Sequence, residues 1–420
     1  MATTVEQPGA LQSITGFLSR ERLVIYSGAI LAMQLIQLGA WAFASWVLHI
    51  RSVPPLGLDF RVFWSASFVS LHSGMISAFN PDLMAAVEAH LYDGTNFADT
   101  GHFAPWVYPP PFHAFILPLA LLPYAISYTV YCFACIAILL FACRPAMASK
   151  ALPWVTVIAF PGVWVATIHG QNSLITLSLA ATSLARIKTR PLLAGICAGA
   201  LLAVKPQLGL LLPLFFLCGR QYRAFSAAAA TVAIICSASA LAFGLPLWEQ
   251  FLGTLSWFNS AILTHNRADL WRAMPTVYAI ARSLGANLYS AYAMHFIVAV
   301  PLVVATALSW NKQPGSRLSC AAAIVATLTA TPYLIQYDLV WLLLPVLYLC
   351  EDFQRTGHQS FWESTIVALA WFLPIPAFLG ILVGRTEWGG VLLPVLLLTI
   401  LIRALIEHHA HSRGVIRAGQ

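Results

Sequence analysis

Several short stretches of this 420-residue chain carry side chains that could do chemistry. Asp59 stands in Gly57-Leu-Asp-Phe-Arg-Val-Phe-Trp64, shortly beyond a long apolar run that ends at Ile50. A carboxylate near a hydrocarbon boundary is partly desolvated, which raises its pKa and suits it to accept a proton. A solvated loop acid paired with Arg61 is the plainer alternative, and position alone leaves the two level. Lys205, in Lys205-Pro-Gln207, interrupts apolar sequence; fifteen helical residues from Arg190 carry it about 22 Å. It either snorkels towards headgroups or supplies a point charge for a lipid phosphate.

His169-Gly-Gln-Asn-Ser173 reads by itself as a Gly/Asn turn between two apolar runs. Asp338, at the start of another run, caps a helix or contacts a sugar or a cationic partner. Between 244 and 287 lie Trp248, Trp257 and the polar cluster His265-Asn-Arg-Ala-Asp269. The aromatics suit interfacial anchors, and the cluster has no diagnostic spacing. Glu407-His-His-Ala-His411 looks like a metal tract but sits in a chain end, so it reads as a tail. Cys132-Phe-Ala-Cys135 lies inside an apolar segment and reads as helix packing rather than redox or metal chemistry.

The elements that must position these residues follow from composition. Sixty per cent of the residues are hydrophobic and 9% charged, with mean hydropathy +0.78. A soluble domain carries roughly 25% charged residues. At about 20 residues per crossing, the apolar content allows around twelve spans. This is the pattern of an all-α polytopic membrane protein, and it excludes a soluble enzyme, a disulfide scaffold and a nucleic-acid binder. The net charge of +7 is accounted for as a topology signal.

Candidate spans fall near 23–50, 112–143, 152–168, 172–185, 191–204, 207–218, 224–243, 288–310, 318–333, 339–350, 364–383 and 391–406. The first is too long for a cleaved signal peptide and reads as a retained anchor. Short basic connections at 144–150, 186–190, 219–223 and 311–317, with 351–363 and both termini, hold most of the Lys and Arg and are placed in the cytoplasm. The organisation is a tail over 1–22, one transmembrane domain over 23–406 and a tail over 407–420. Its long external connections are 51–111 and 244–287. In the first, Phe63, Trp64, Phe68, Val69, Met75, Ile76 and Phe79 alternate with polar residues, as in a helix lying in the membrane interface. A second helix is expected after Asn80-Pro81. Pro105-Trp-Val-Tyr-Pro-Pro-Pro111, with Pro118 and Pro123, resists a straight helix and predicts a bent segment.

In order, Gly-x-Asp-Phe-x-Val-Phe-Trp, Tyr108-Pro-Pro-Pro-Phe112, Leu117-Pro-Leu-Ala-Leu-Leu-Pro123, His169-Gly-Gln-Asn172, Lys205-Pro-Gln207 and Thr331-Pro-Tyr…Tyr337-Asp-Leu339 resemble glycosyltransferase family 87. These are GT-C-class membrane enzymes that include the mycobacterial phosphatidylinositol-mannoside mannosyltransferases. The resemblance covers about residues 55–350. It implies a GT-C-type bundle and a metal-independent, inverting transfer of a hexose, usually mannose, from a polyprenyl-phosphate donor. It also implies a lipid or glycan acceptor, an external active site in a bacterial inner membrane, and no cofactor.

It places Asp59 as the catalytic base. Lys205 and His169 are then candidates for the donor phosphate, and Tyr108, Gln171, Gln207, His265 and Asp338 for the cavity. A second reading is a transporter or lipid flippase, which leaves ionisable or broken-helix signatures near the midplane of several spans. A third is a non-catalytic scaffold of a cell-envelope complex. Gathering of ionisable residues at the outer boundary favours the enzyme.

Overall fold

A computed structural model describes residues 20–91, 104–147, 153–264, 268–383 and 388–412. All regular structure among them is helical. Apolar runs became helices largely where the sequence placed them, but Pro and Gly cut many of them short. α1 (Arg20–Ala42), continued by a π-turn Phe43–Val47, is a single long span. In the first connection come α2 (Phe60–Ser73) and α3 (Pro81–His90). Asn80 caps α3, its Oδ1 accepting from the Asp82 and Leu83 amides, with Pro81 in the first turn, as the sequence predicts.

The proline-rich segment bends as expected. α4 (Pro110–Ile116) passes into a 3₁₀ turn, Leu117–Leu121, and the chain turns at Pro123 before α5 (Tyr124–Cys143). The apolar run beyond residue 152 is broken at Pro161, where α6 (Pro161–His169) starts. Then follow α7 (Ser173–Arg186), α8 (Pro191–Val204) and α9 (Leu211–Cys218). α10 (Tyr222–Phe243), α11 (Leu245–Thr264), α12 (Val277–Ser283), α13 (Leu288–Lys312) and α14 (Arg317–Ala330) come next. A 3₁₀ helix, Gln336–Leu342, leads into α15 (Leu343–Thr356). The chain closes with α16 (Phe361–Phe372), α17 (Pro374–Val383) and α18 (Gly389–Ser412).

Five of these helices are long and apolar enough to cross a membrane, six if the bent α16–α17 pair is one span. Five further apolar helices have 10–17 residues. The count of about twelve full-length spans is therefore met only in part, because short, broken helices make up much of the interior. α14 shows why a short helix suffices: from Leu318 to Thr329 every residue is buried, packed among α13, α15 and α18. A helix apolar all round belongs inside protein.

α8 and α10 approach backbone to backbone. A Cβ at Gly195 would lie 2.2 Å from Ala224 O and one at Gly199 2.5 Å from Ala228 O, so this Gly-x-x-x-Gly face tolerates nothing larger.

Two expectations change. Of the residues expected among headgroups, α2 buries Phe63 and Val69 in the protein core. The 244–287 connection is mostly helix, with α11 seated through buried Leu247 and Phe251. All eight cysteines are unbridged, and Cys132 and Cys135 are packed inside the bundle.

Candidate active site

Asp59 is set by backbone. Helix α6 ends in a Schellman motif: Gly170, at φ +65°, donates to Thr167 O at 2.9 Å, and Gln171 N donates to Ala166 O at 3.1 Å. The last carbonyls of α6 then have no partner inside the helix. They accept from the segment 57–59: Gly57 N to Ile168 O at 3.0 Å and Asp59 N to His169 O at 2.9 Å. Tyr124 fixes the same segment by donating to the Leu56 and Gly57 carbonyls. Gly57 (φ +86°) and Gly170 both lie against Tyr128 and Phe60, where a Cβ would come within 3.1 Å of ring or side-chain atoms. The sequences Gly-Leu-Asp and His-Gly-Gln-Asn are thus two halves of one junction.

At that junction the His169 ring, with Nδ1 donating, lies 2.8 Å from Asp59 Oδ2. Asp59 is the N-cap residue of α2 but makes no side-chain cap bond there, so its carboxylate is directed to the histidine. The Asp59 side chain is 31% exposed and that of His169 10%. Burial pushes the Asp59 carboxyl up. Attraction to His169 and its hydrogen bond, the Arg61 charge and a Gln171 hydrogen bond outweigh it, so the group lies below the ordinary 3.8. This corrects the expectation of a raised pKa: the hydrocarbon boundary matters less than the partners gathered around the acid.

His169 Nε2 lies 3.3 Å from the Gln336 side-chain amide, which donates to a neutral ring. Gln336 Oε1 is buried without a partner; turned over, it would accept from an imidazolium. One glutamine can therefore serve both protonation states of the ring. Tyr108 donates to Gln171 Oε1 at 3.1 Å, and burial holds its hydroxyl well above the ordinary tyrosine value, so it stays a donor.

Lys205 neither snorkels nor stands alone. Its Nζ is 2.6 Å from Asp338 Oδ1, which also accepts from Ser173 Oγ at 2.6 Å, and Lys205 and Asp338 are both buried. Of the readings open to Asp338, the cationic partner is present in Lys205, and Asp338 lies within the 3₁₀ turn rather than at its N-cap. Tyr337 links the two pairs: its ring centroid is 5.4 Å from the His169 ring and 5.2 Å from Lys205 Nζ. Gln207 joins only through its backbone carbonyl, which accepts from Thr331, and is exposed. His265 lies outside the described residues.

The structure thus unites Asp59, His169, Gln171 and Tyr108 directly, and Lys205 with Asp338 behind them. Gln336, Tyr337 and Ser173 were not singled out as site residues from sequence, although each lies within two positions of one that was. A further carboxylate, Glu88 on α3, is 3.5 Å from Arg61 Nε and 2% exposed. Burial above all raises it to about 7, against the pull of Arg61 and of the Ala104 amide.

The family model described as glycosyltransferase family 87 matches residues 106–335. The match spans over half of the chain and takes in Tyr108, His169, Gln171 and Lys205, while Asp59 and Asp338 lie beyond its ends. No curated protein and no solved structure matches the chain.

Proposed function

This chain belongs to glycosyltransferase family 87, and from that premise we propose that it moves a hexose, mannose foremost, from a polyprenyl-phosphate donor to a lipid or glycan hydroxyl. In this reading transfer occurs at the external face of a bacterial inner membrane with inversion, and Asp59 is the base. The observation that carries it is the geometry of Asp59: a partly exposed carboxylate with His169 Nδ1 2.8 Å from its Oδ2, among partners that hold its pKa below the ordinary value.

The acceptor oxygen attacks the anomeric carbon as the bond from that carbon to the phosphate oxygen breaks. The lipid phosphate leaves with the bonding electron pair, and the acceptor's proton passes to an Asp59 oxygen. A carboxylate of low pKa is a weak base, so it takes the proton late, when the hydroxyl has become acidic through bond formation. His169, whose Nδ1–H already donates to one Asp59 oxygen, holds the carboxyl in place while the other oxygen takes that proton.

Lys205 is satisfied by Asp338, whose Oδ1 also accepts from Ser173. We assign it to holding the 169–173 turn from behind rather than to the donor phosphate. Arg61, whose charge acts on Asp59, supplies positive potential at the reacting face.

The test is transfer of radiolabelled sugar from polyprenyl-phosphate mannose in membranes containing wild type or Asp59→Asn. A product from wild type, reduced on the order of 10²–10⁴-fold in the variant at equal protein level, is the expected result. Near-wild-type transfer by Asp59→Asn would remove Asp59 from the role of base.

A further inference from the structure

Away from the Asp59 junction, a cavity of about 270 Å³ opens between the start of α3, the segment leading into α4, and α11. Its α11 wall is Gln250, Gly253, Thr254 and Trp257, one face at helical spacing. Opposite stand Phe79, Asn80 and Trp106. Among the described residues the lining holds none that is charged, which disfavours a phosphate or a carboxylate as occupant.

The polar groups that are present suit hydroxyls. Asn80 uses its Oδ1 to cap α3, which leaves its amide N–H groups as donors. Gln250 and Thr254 add both donors and acceptors. Trp106 is 1% exposed, and its Nε1 is buried without a hydrogen-bond partner. Trp257, by contrast, displays 52% of its surface. An exposed indole beside amides and a hydroxyl offers a flat apolar face for the C–H side of a ring and partners for its edge.

The cavity is also tied to the reacting residues. The Trp106 and Tyr108 rings are 5.0 Å apart, and Tyr108 donates to Gln171 beside Asp59. We infer that this cavity binds a neutral pyranose ring of the acceptor, as a subsite separate from the Asp59 junction. The inference names a substrate class for the transfer proposed above and rests on that reading, but its binding test does not require turnover.

Gly253 supplies the decisive variant. A Cβ there would meet nothing within 4 Å, so the position has room to start a side chain, and Gly253→Leu adds bulk to the cavity wall while leucine favours helix over glycine. Saturation-transfer NMR on the full chain in nanodiscs would use methyl α-mannopyranoside and methyl α-glucopyranoside, with a methyl glucuronide as the charged control. Wild type is expected to bind at least one neutral glycoside saturably and the glucuronide at least tenfold more weakly. Gly253→Leu and Trp257→Ala should weaken neutral binding tenfold or more, Trp257→Phe less, and Asp59→Asn not at all.

The inference is overturned if wild type binds neither neutral glycoside, if Gly253→Leu binds as wild type does, or if Asp59→Asn abolishes binding and so moves the sugar to the junction. If Asp59→Asn transfers sugar normally while Gly253→Leu still loses glycoside binding, the proposed base fails and the subsite stands.

Discussion

Two groups of charged residues, at different places in the bundle, are built on opposite principles. Around Asp352 every acid is met by arginine. Arg403 Nε is 2.5 Å from Asp352 Oδ2 and Nη1 2.8 Å from Glu363 Oε1, while Nη2 donates to Thr356 and to the His358 carbonyl. Arg355 reaches both Asp352 and Glu407. Asp352 is 2% exposed; its partners come from α15 and α18, and Arg403 extends the group to Glu363 on α16. This is a closed clamp that ties the last helices together.

Around Asp59 the partner of the acid is a histidine, the carboxylate keeps 31% of its surface, and buried amide atoms nearby lack partners, notably Gln336 Oε1 and both polar side-chain atoms of Asn172. Saturated charge holds a fold together. Incompletely satisfied charge, held by backbone, is what a reacting site needs.

The largest way to break this contrast is at the clamp. Arg403→Ala leaves two acids without their shared arginine and is expected to cost about 3–5 kcal/mol, read as loss of monodisperse protein and a lower melting temperature. A folded, active Arg403→Ala would show that the clamp is dispensable. Asp59→Asn should do the reverse, removing transfer while leaving melting nearly unchanged.

Lys205 decides which principle governs the pair behind the junction. Lys205→Met strands a buried Asp338 and should destabilise by about 3–5 kcal/mol, with Lys205→Met/Asp338→Leu recovering much of the melting temperature. Loss of activity without loss of stability in Lys205→Met would return Lys205 to the substrate.

Glu88 gives a smaller and pH-dependent effect. Its folded pKa of about 7 lies above the ordinary 4.5, so the folded state holds a proton that the unfolded chain has released. Its contribution to stability should therefore be greatest below pH 4.5, fall as pH rises to about 7, and stay flat above, a span of roughly 3 kcal/mol. Glu88→Gln should abolish that slope in melting curves; an unchanged slope would assign it to another group.

The subtlest effect concerns Asp59. Its pKa lies below 3.8, so wild-type activity should show no acid limb at neutral pH. In His169→Phe the main downward influence is gone and burial remains, so residual activity should decline at a higher pH than in wild type. Coincident limbs would mean that His169 does not set the ionisation of Asp59.

These contrasts were unequally legible in the sequence. The helices were, because apolar runs and their Pro and Gly breaks act locally: Asn80-Pro81 caps and starts a helix whatever surrounds it. Asp59, His169, Lys205 and Asp338 were also visible, each as an ionisable or polar residue interrupting or bordering apolar sequence. Their pairing was not. Asp59 and His169 are 110 residues apart, and Lys205 and Asp338 133, so Lys205 read as a lone cation. The clamp was invisible for the same reason, since Arg403 and Asp352 are 51 residues apart and match no local pattern.

The sequence by itself determined that this chain is helical and membrane-embedded, because composition and periodicity are sums over neighbouring residues. It also determined which side chains were worth watching. Only the tertiary structure decided what each of them is. An acid's pKa, a lysine's freedom and a short helix's burial depend on groups brought together from distant parts of the chain. Here the carbonyl end of one helix, docked on the amides of Gly57 and Asp59, placed the acid against its histidine.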